Sequence, residues 1–478
     1  MNDKIKLVVC LLIISLIFFT GCETTMDDIT DPGDPVNPPP EMPDGPVYFV
    51  HQSIGNDENP GTEAEPWETV QHAVDMAEAG DTIFIKPGEY GEVDTPINFE
   101  AGATGTEDAW ITIEGYPHHE AVILGGFNTM GSGWTSPGGG WIRFKGLTLK
   151  RGIKIYNTQN APVEVIDNVF DLFDTGGGSG VYGVTSRHLD YLEGIVVKDN
   201  YMYGGQYGII TGQDARNWVM ENNIIERIVK HGDGDADYIR IFGSGHIIRG
   251  NVLFGTRDSE KGSAHTDGFQ TFGVGARDIL IEDNIISSCD QGIMAEASDG
   301  YSNDNWTIRN NIFSGTYADN QPGGSWGIDV KRNTPASGWI IVNNIFANNR
   351  YHGIALRENT TNMTVKNNIF YNSNMYLGLD TERTDMFVGN NLTNADNSSI
   401  SSDITGVDPS SVFKDPVEAY IDPIDNPERF ALREGTAGNP NPAVDAGEDL
   451  SDLFNTDIRG VPRPQGAGWD IGPYELEQ

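Results

Sequence analysis

Short runs of alternating apolar and polar residues recur along this chain, and each run ends in the same kind of phrase. Ile247-Ile248-Arg249 leads into Gly250-Asn251-Val252, and Ile279-Leu280-Ile281-Glu282 leads into Asp283-Asn284-Ile285. The phrase returns at Asp199-Asn200-Tyr201, Asn222-Asn223-Ile224, Asn310-Asn311-Ile312, Asn343-Asn344-Ile345, Asn367-Asn368-Ile369 and Asn390-Asn391-Leu392. Its central Asn recurs after 23, 28, 33, 27, 33, 24 and 23 positions. Alternation with a period of two marks strands, and a repeat of this length marks a solenoid. No helical period separates the phrases. The pattern predicts an all-β chain: a right-handed parallel β-helix with one coil per repeat. Asn suits its stacked turns, because it tolerates left-handed backbone angles and can hydrogen-bond its own kind in the next coil.

A second strand recurs in each coil, marked by a small residue and then Ile or Phe. Examples are Tyr207-Gly208-Ile209, Asp237-Tyr238-Ile239, Asp267-Gly268-Phe269, Gln291-Gly292-Ile293, Trp326-Gly327-Ile328 and His352-Gly353-Ile354. Strand side chains alternate, so the Ile/Phe position and the position two later should point inward. One residue after the anchor, the outer face should then carry Ile210, Arg240, Gln270, Met294, Asp329 and Ala355. Three after it come Gly212, Phe242, Phe272, Glu296, Lys331 and Arg357. Two before it, at the turn into the strand, stand Tyr207, Asp237, Asp267, Gln291, Trp326 and His352. Coils stack about 4.8 Å apart, which makes Asp237 and Asp267 near neighbours. Polar loops, including Lys230-His231-Gly232-Asp233-Gly234-Asp235, precede these strands, and such loops usually build the binding groove of a solenoid.

The chain has 478 residues, yet a solenoid can grow to that length without splitting its core. A net charge of −40 argues against a nucleic-acid partner, which would demand basic patches. Cys10, Cys22 and Cys289 are the only cysteines. If a signal segment carrying Cys10 is removed and Cys22 is modified, Cys289 is left without a disulfide partner and reads as a small core residue.

The chain ends supply further resemblances. Lys4 and Lys6, the apolar run Val8 to Phe19 and then Thr20-Gly21-Cys22 resemble a bacterial lipoprotein signal. Glu23 and Asp27-Asp28 resemble the acidic surface-export tag of Bacteroidetes lipoproteins. The resemblance implies a signal peptide over 1–21, lipidation at Cys22 and a surface-exposed place on the outer membrane. Residues 22–46 read as a flexible linker, 47–400 as the β-helix and 401–478 as its C-terminal end and cap. Val47-Tyr48-Phe49-Val50, a short helix with Val70, Ala73, Val74 and Ala77 on one face, and Thr82-Ile83-Phe84-Ile85 resemble the opening segment of secreted proteins of the pectate-lyase-like superfamily. In that superfamily the helix caps the open end of the coils. The run from Pro442 to Glu475 resembles the closing segment of many secreted β-helix proteins, so its charges are expected to be structural.

Two carboxylates one coil apart repel unless something neutralises them. Ca²⁺ held by Asp237, Asp267 and Asp235 is one answer; Arg240 paired with both carboxylates is the other. The Asp-Gly-Phe at 267–269, a second Asp one coil earlier and Lys331 two coils later resemble the calcium-dependent pectate lyases that use a lysine base. That resemblance implies β-elimination on a uronic-acid polymer with Lys331 as base. Arg240, Lys261 and His265 are rival bases, and Gln270 stands where another acidic ligand is expected. A purely structural alternative pairs Lys331 with Glu296. His265-Thr266-Asp267-Gly268 also resembles the Asn-Thr-Asp-Gly phrase of polygalacturonases, with Asp267 and Asp290 as the implied carboxyl pair. A third reading is glycan binding alone, through Trp326 and neighbouring aromatics. The expected substrate contacts are Lys230, His231, Gln270, Asp290, Glu296, Trp326, Asp329, His352 and Arg357. The expected partner is an acidic polysaccharide, with the protein a monomer.

Overall fold

The computed structural model describes residues 43–478, apart from 44, 100–103, 130–138, 157–160, 174–177, 185–191, 231–233, 261–264, 316–325, 358, 374, 378–384, 396–401, 415–426 and 478. The signal segment, Cys22 and most of the linker therefore lie outside the described residues. Three parallel sheets wrap one core. The first begins with Val47–Val50 and Thr82–Ile85 and ends with Met386–Gly389. The second runs from Ile97–Asn98 to Met375–Leu377, and the third from Gly88–Tyr90 to Leu392–Thr393. Each turn of the chain adds one strand to each sheet, as the repeats predict. Among the described residues no helix is long and apolar enough to cross a membrane.

The Asn phrases form a buried ladder between the first and third sheets. The side-chain amide of Asn251 donates to Asn284 Oδ1, that of Asn284 to Asn311 and that of Asn311 to Asn344, at 2.9–3.0 Å. The ladder also reaches back to Asn168, which donates to Asn200 at 3.1 Å. The sequence pattern gave one Asn two jobs, and the structure divides them. The central Asn stacks, while the residue before it takes the left-handed conformation, as at Asp199, Asn222, Gly250, Asp283 and Asn310 with φ of 54–63°. The small or amide residues found there tolerate that region best.

Inside the coils, large side chains stack on their own kind. Trp306 lies on Trp339 with centroids 4.6 Å apart, and Phe313 on Phe346 at 5.1 Å. The helix Val70–Met76 buries Val70, Ala73 and Val74 against the first coils. The Thr69 side chain caps it by accepting the His72 N–H. At the other end, the chain turns back along the flank of the coils. Asn343 donates to the carbonyls of Asp470 and Gly472, and Asn367 to that of Glu448. The charges of this segment are locked into structure: Arg463 and Glu475 are both buried and paired at 2.9 Å.

The two N–H groups of the Asn284 side chain are shared among Ile248 O, Glu282 O and Asn311 Oδ1, and its Oδ1 accepts the backbone and side-chain N–H of Asn251. Asn284→Ala strands buried partners on both sides, so stability should fall by about 2–5 kcal/mol. Urea denaturation measures this; a loss under about 1 kcal/mol would show that the ladder is dispensable at that coil.

Candidate functional site

The second sheet carries the candidate chemistry. Its strands Ala236–Arg240, Thr266–Thr271, Gln291–Ala295, Trp326–Val330 and His352–Leu356 stack in chain order. The register pairs Asp237 with Asp267, Asp267 with Gln291, Gln291 with Trp326 and Trp326 with His352. Three residues on, it pairs Arg240 with Gln270, Gln270 with Met294 and Met294 with Asp329. Both rows follow the register expected from the anchor residues.

Simple alternation fails at one point, and that failure makes the site. Tyr238 and Ile239 are consecutive, and both belong to the core. Two successive inward residues leave Asp237 and Arg240 facing the same way, and Arg240 Nε meets Asp237 Oδ2 at 2.6 Å. The next coil repeats this arrangement, with Gln270 Nε2 3.1 Å from Asp267 Oδ2. Gly268 occupies the position of Tyr238. A Cβ there would sit 2.7 Å from Ile286 and 2.6 Å from the Gly292 carbonyl. The recurring small residue before each anchor therefore admits the close approach of the neighbouring coil.

Asp237 and Asp267 are fully buried. Asp237 Oδ1 accepts the Asp267 backbone N–H at 3.2 Å. Burial pushes both carboxyls above the ordinary carboxylate range; the neighbouring charge of Asp267 adds to this at Asp237, and Arg240 opposes it. His265 Nδ1 lies 3.5 Å from Asp267 Oδ2, and that carboxylate raises the imidazole to about 9 against the cost of its partial burial. Arg240 stacks over Tyr207 at 4.3 Å and over Phe272 at 5.3 Å, which fixes its guanidinium. Asp267 Oδ1 and Gln270 Oε1 are buried acceptors without a hydrogen-bond partner.

A second charged group adjoins the first. Buried Asp329 holds Lys331 at 2.9 Å and Arg357 at 2.6 Å. Lys331 Nζ also reaches Gln291 Oε1 at 2.9 Å, so it bridges toward the Asp267 coil. This differs from the pairing of Lys331 with Glu296: Glu296 is exposed, and the carboxylate of Asp329, two residues before Lys331, takes the lysine. Trp326 and Tyr351 stand beside it with centroids 5.1 Å apart, and Lys331 lies 5.4 Å from the Trp326 ring. His352 is partly buried, and that burial lowers its imidazole below the ordinary value.

The remaining candidates divide. Asp290 Oδ2 accepts the Thr266 N–H at 3.2 Å, a bond that fastens two coils together. Asp235 is half-buried and acts on Asp237 and His265 through space. Lys230 is half-buried before the strand, and His231 and Lys261 lie outside the described residues. Among the described residues no three acidic, imidazole or thiol side chains converge as a metal cage; the oxygen donors at hand are two carboxylates and the Gln270 amide. The sequence reading missed Phe272 as a support of Arg240. Its signal was an apolar residue in the outward row three after the anchor.

Comparison with known proteins agrees with this architecture. The family described as Pel9A-like, right-handed beta helix region, matches residues 48–176. The uncharacterized protein YwoF of Bacillus subtilis is 25% identical over 395 residues, covering 75% of this chain and 80% of that protein. Pectate lyase PEL9 of Emericella nidulans is 27% identical over 211 residues, 42% of this chain and 45% of that protein. The crystal structure of pectate lyase Pel9A superimposes with a TM-score of 0.50 at 15% identity, over 90% of this chain and 96% of that one.

His265 provides a pH test of the cluster. Its folded value of about 9 lies above the ordinary 6.5, so its contribution to stability is complete below 6.5 and is lost as pH rises through 9. His265→Gln should remove that part of the Tm-versus-pH slope while leaving the rest. Parallel slopes for the two proteins would show that His265 does not engage Asp267. With the coils, the three parallel sheets and the match of residues 48–176 to the Pel9A-like right-handed beta helix region together, the chain is a right-handed parallel β-helix.

Proposed function

We propose that this protein is a polysaccharide lyase that cleaves a uronic-acid-containing polymer by β-elimination at the Asp237–Asp267 cluster. The observation that carries the reading is the pair itself. Two fully buried carboxylates sit on consecutive coils, ringed by Arg240, His265 and Lys331. Burying like charges together is costly, and such arrangements concentrate at functional sites.

In β-elimination a base removes the proton beside the sugar carboxylate. The electron pair of that C–H bond becomes a ring double bond, and the bond to the linking oxygen breaks with its pair. The departing sugar then takes up a proton. Arg240, tied to Asp237 and stacked on Tyr207, is a fixed cation for the sugar carboxylate. His265 is protonated at neutral pH, because Asp267 raises it to about 9, so it belongs with the cations and with proton return. We assign the base to Lys331, positioned by Asp329 and Gln291; its ammonium must first release a proton before the free amine can take the one beside the sugar carboxylate. Trp326 and Tyr351 offer ring faces to the sugars beside it.

Asp267 Oδ1 and Gln270 Oε1, buried and unpartnered, suit a hard oxygen-seeking cation, and with Asp237 they are the residues that would hold Ca²⁺. When bound, Ca²⁺ would neutralise the sugar carboxylate and make the neighbouring proton more acidic. The lipoprotein resemblance of residues 1–22 supports lipid anchorage at Cys22 on the outer membrane surface, where a polymeric substrate is accessible.

The test is ultraviolet absorbance of the unsaturated product, measured on pectate, alginate and neutral glycans with and without EDTA. Acidic polymers should give the signal. Lys331→Ala should lower kcat by about 10²–10⁴-fold with folding intact, the range expected for losing a general base. New reducing ends without unsaturated product would replace this reading with hydrolysis by Asp267 and Asp290. Calorimetric titration should detect Ca²⁺ on the wild type and lose it in Asp267→Asn; no heat with the wild type would leave Arg240 as the neutralising group.

A further inference from the structure

The two rows that build the cluster continue toward the N-terminus, past the coils in which the sequence pattern was aligned. Tyr207, in the row of Asp237, pairs with Ser179 in the coil before. Ile210, in the row of Arg240, pairs with Tyr182, and Tyr182 pairs with Lys154. Lys154 in turn pairs with Asn128. These earlier members line a separate cleft of about 260 Å³ on the same sheet.

The chemistry of this cleft is unusual for so acidic a protein. Lys154 is exposed, and among the described residues no carboxylate pairs with it. Tyr182 stands exposed one coil on, its ring open to solvent. Arg151 and Asp94 both line the cleft and are paired with each other at 2.6 Å. The Asn128 amide also lines the cleft and is fixed by its own donation to Asn98 at 2.9 Å. A cation with no carboxylate partner among the described residues, an aromatic face and the Asn128 amide within one concavity form a recognition set for a sugar that carries a carboxylate. Elsewhere along these flanks the cations are mostly paired, as Lys150 is with Asp171 and Lys198 with Glu221.

Position links the cleft to the cluster. From Lys154 to Arg240 the register advances three coils, about 14 Å at the usual strand spacing. That is too far for one sugar to touch both and near enough for one chain to cross both. We propose that this cleft is a distal subsite, which holds an acidic sugar residue of the same polymer through Lys154 and Tyr182 while the cluster acts on another. The inference rests on the lyase reading above and extends it. Its consequence is a dependence on chain length: oligomers that span both places should bind and react better than those that fill only the cluster.

The experiment uses the wild type, Lys154→Ala, Tyr182→Ala, the double variant and Lys154→Arg, with oligogalacturonates of graded length. Product absorbance and calorimetric affinity are measured on each. In the wild type, kcat/KM should rise by tenfold or more at the length that reaches the cleft. The double variant should lose that rise through KM, keep its rate on the shortest substrates, and bind long oligomers at least tenfold more weakly. Lys154→Arg should retain most of the affinity. Equal length profiles and affinities for wild type and double variant would overturn the subsite and leave the lyase reading intact. A matching loss on neutral oligomers would overturn its preference for acid. Failure of the wild type to bind or cleave any acidic oligomer would overturn both.

Discussion

Every coil of this protein must repeat the position of the coil before it at the spacing of a β-sheet hydrogen bond. That constraint governs the rest of the structure. A backbone that returns to the same place each turn stacks like residues on like: Asn on Asn, Trp306 on Trp339, Phe313 on Phe346. The Asn ladder is the clearest expression of this. Each amide satisfies backbone carbonyls that a tight buried turn would otherwise strand, and it passes its own oxygen to the neighbouring coil. The left-handed residue just before it allows the corner, so turn and stack are a single device.

The same repetition creates the candidate site. Where the stacked residues are apolar, the column is core; where they are acidic, repetition forces like charges together. Asp237 and Asp267 come together because the coil returns, and the cost of burying them is offset by Arg240, His265 and Gln270. Lys331, Asp329 and Arg357 form an adjoining set in which one buried carboxylate holds two cations. A protein with a net charge of −40 thereby presents positively charged side chains on one strip of one sheet.

The sequence by itself determined the coil. A period near thirty residues, Asn at the corners and an alternating apolar pattern leave few architectures open, and the register of the second sheet followed from its Ile and Phe anchors. The neighbours of Asp237 and Asp267 were legible for the same reason: a solenoid turns sequence spacing into spatial adjacency. What only the tertiary structure decided were the directions of side chains at the break in alternation. Whether Asp237 and Arg240 share a face depends on Tyr238 and Ile239 both turning inward, and that is a matter of packing against adjacent coils that no period of two contains. The partner of Lys331 was undecided for a related reason, because a long flexible side chain chooses among carboxylates within reach, and Asp329 lay closer than Glu296. The return of the C-terminal segment along the flank also escaped the repeat, since that segment has no period of its own; it is held by Asn310, Asn343 and Asn367, the left-handed residues of three successive coils, which donate to its carbonyls.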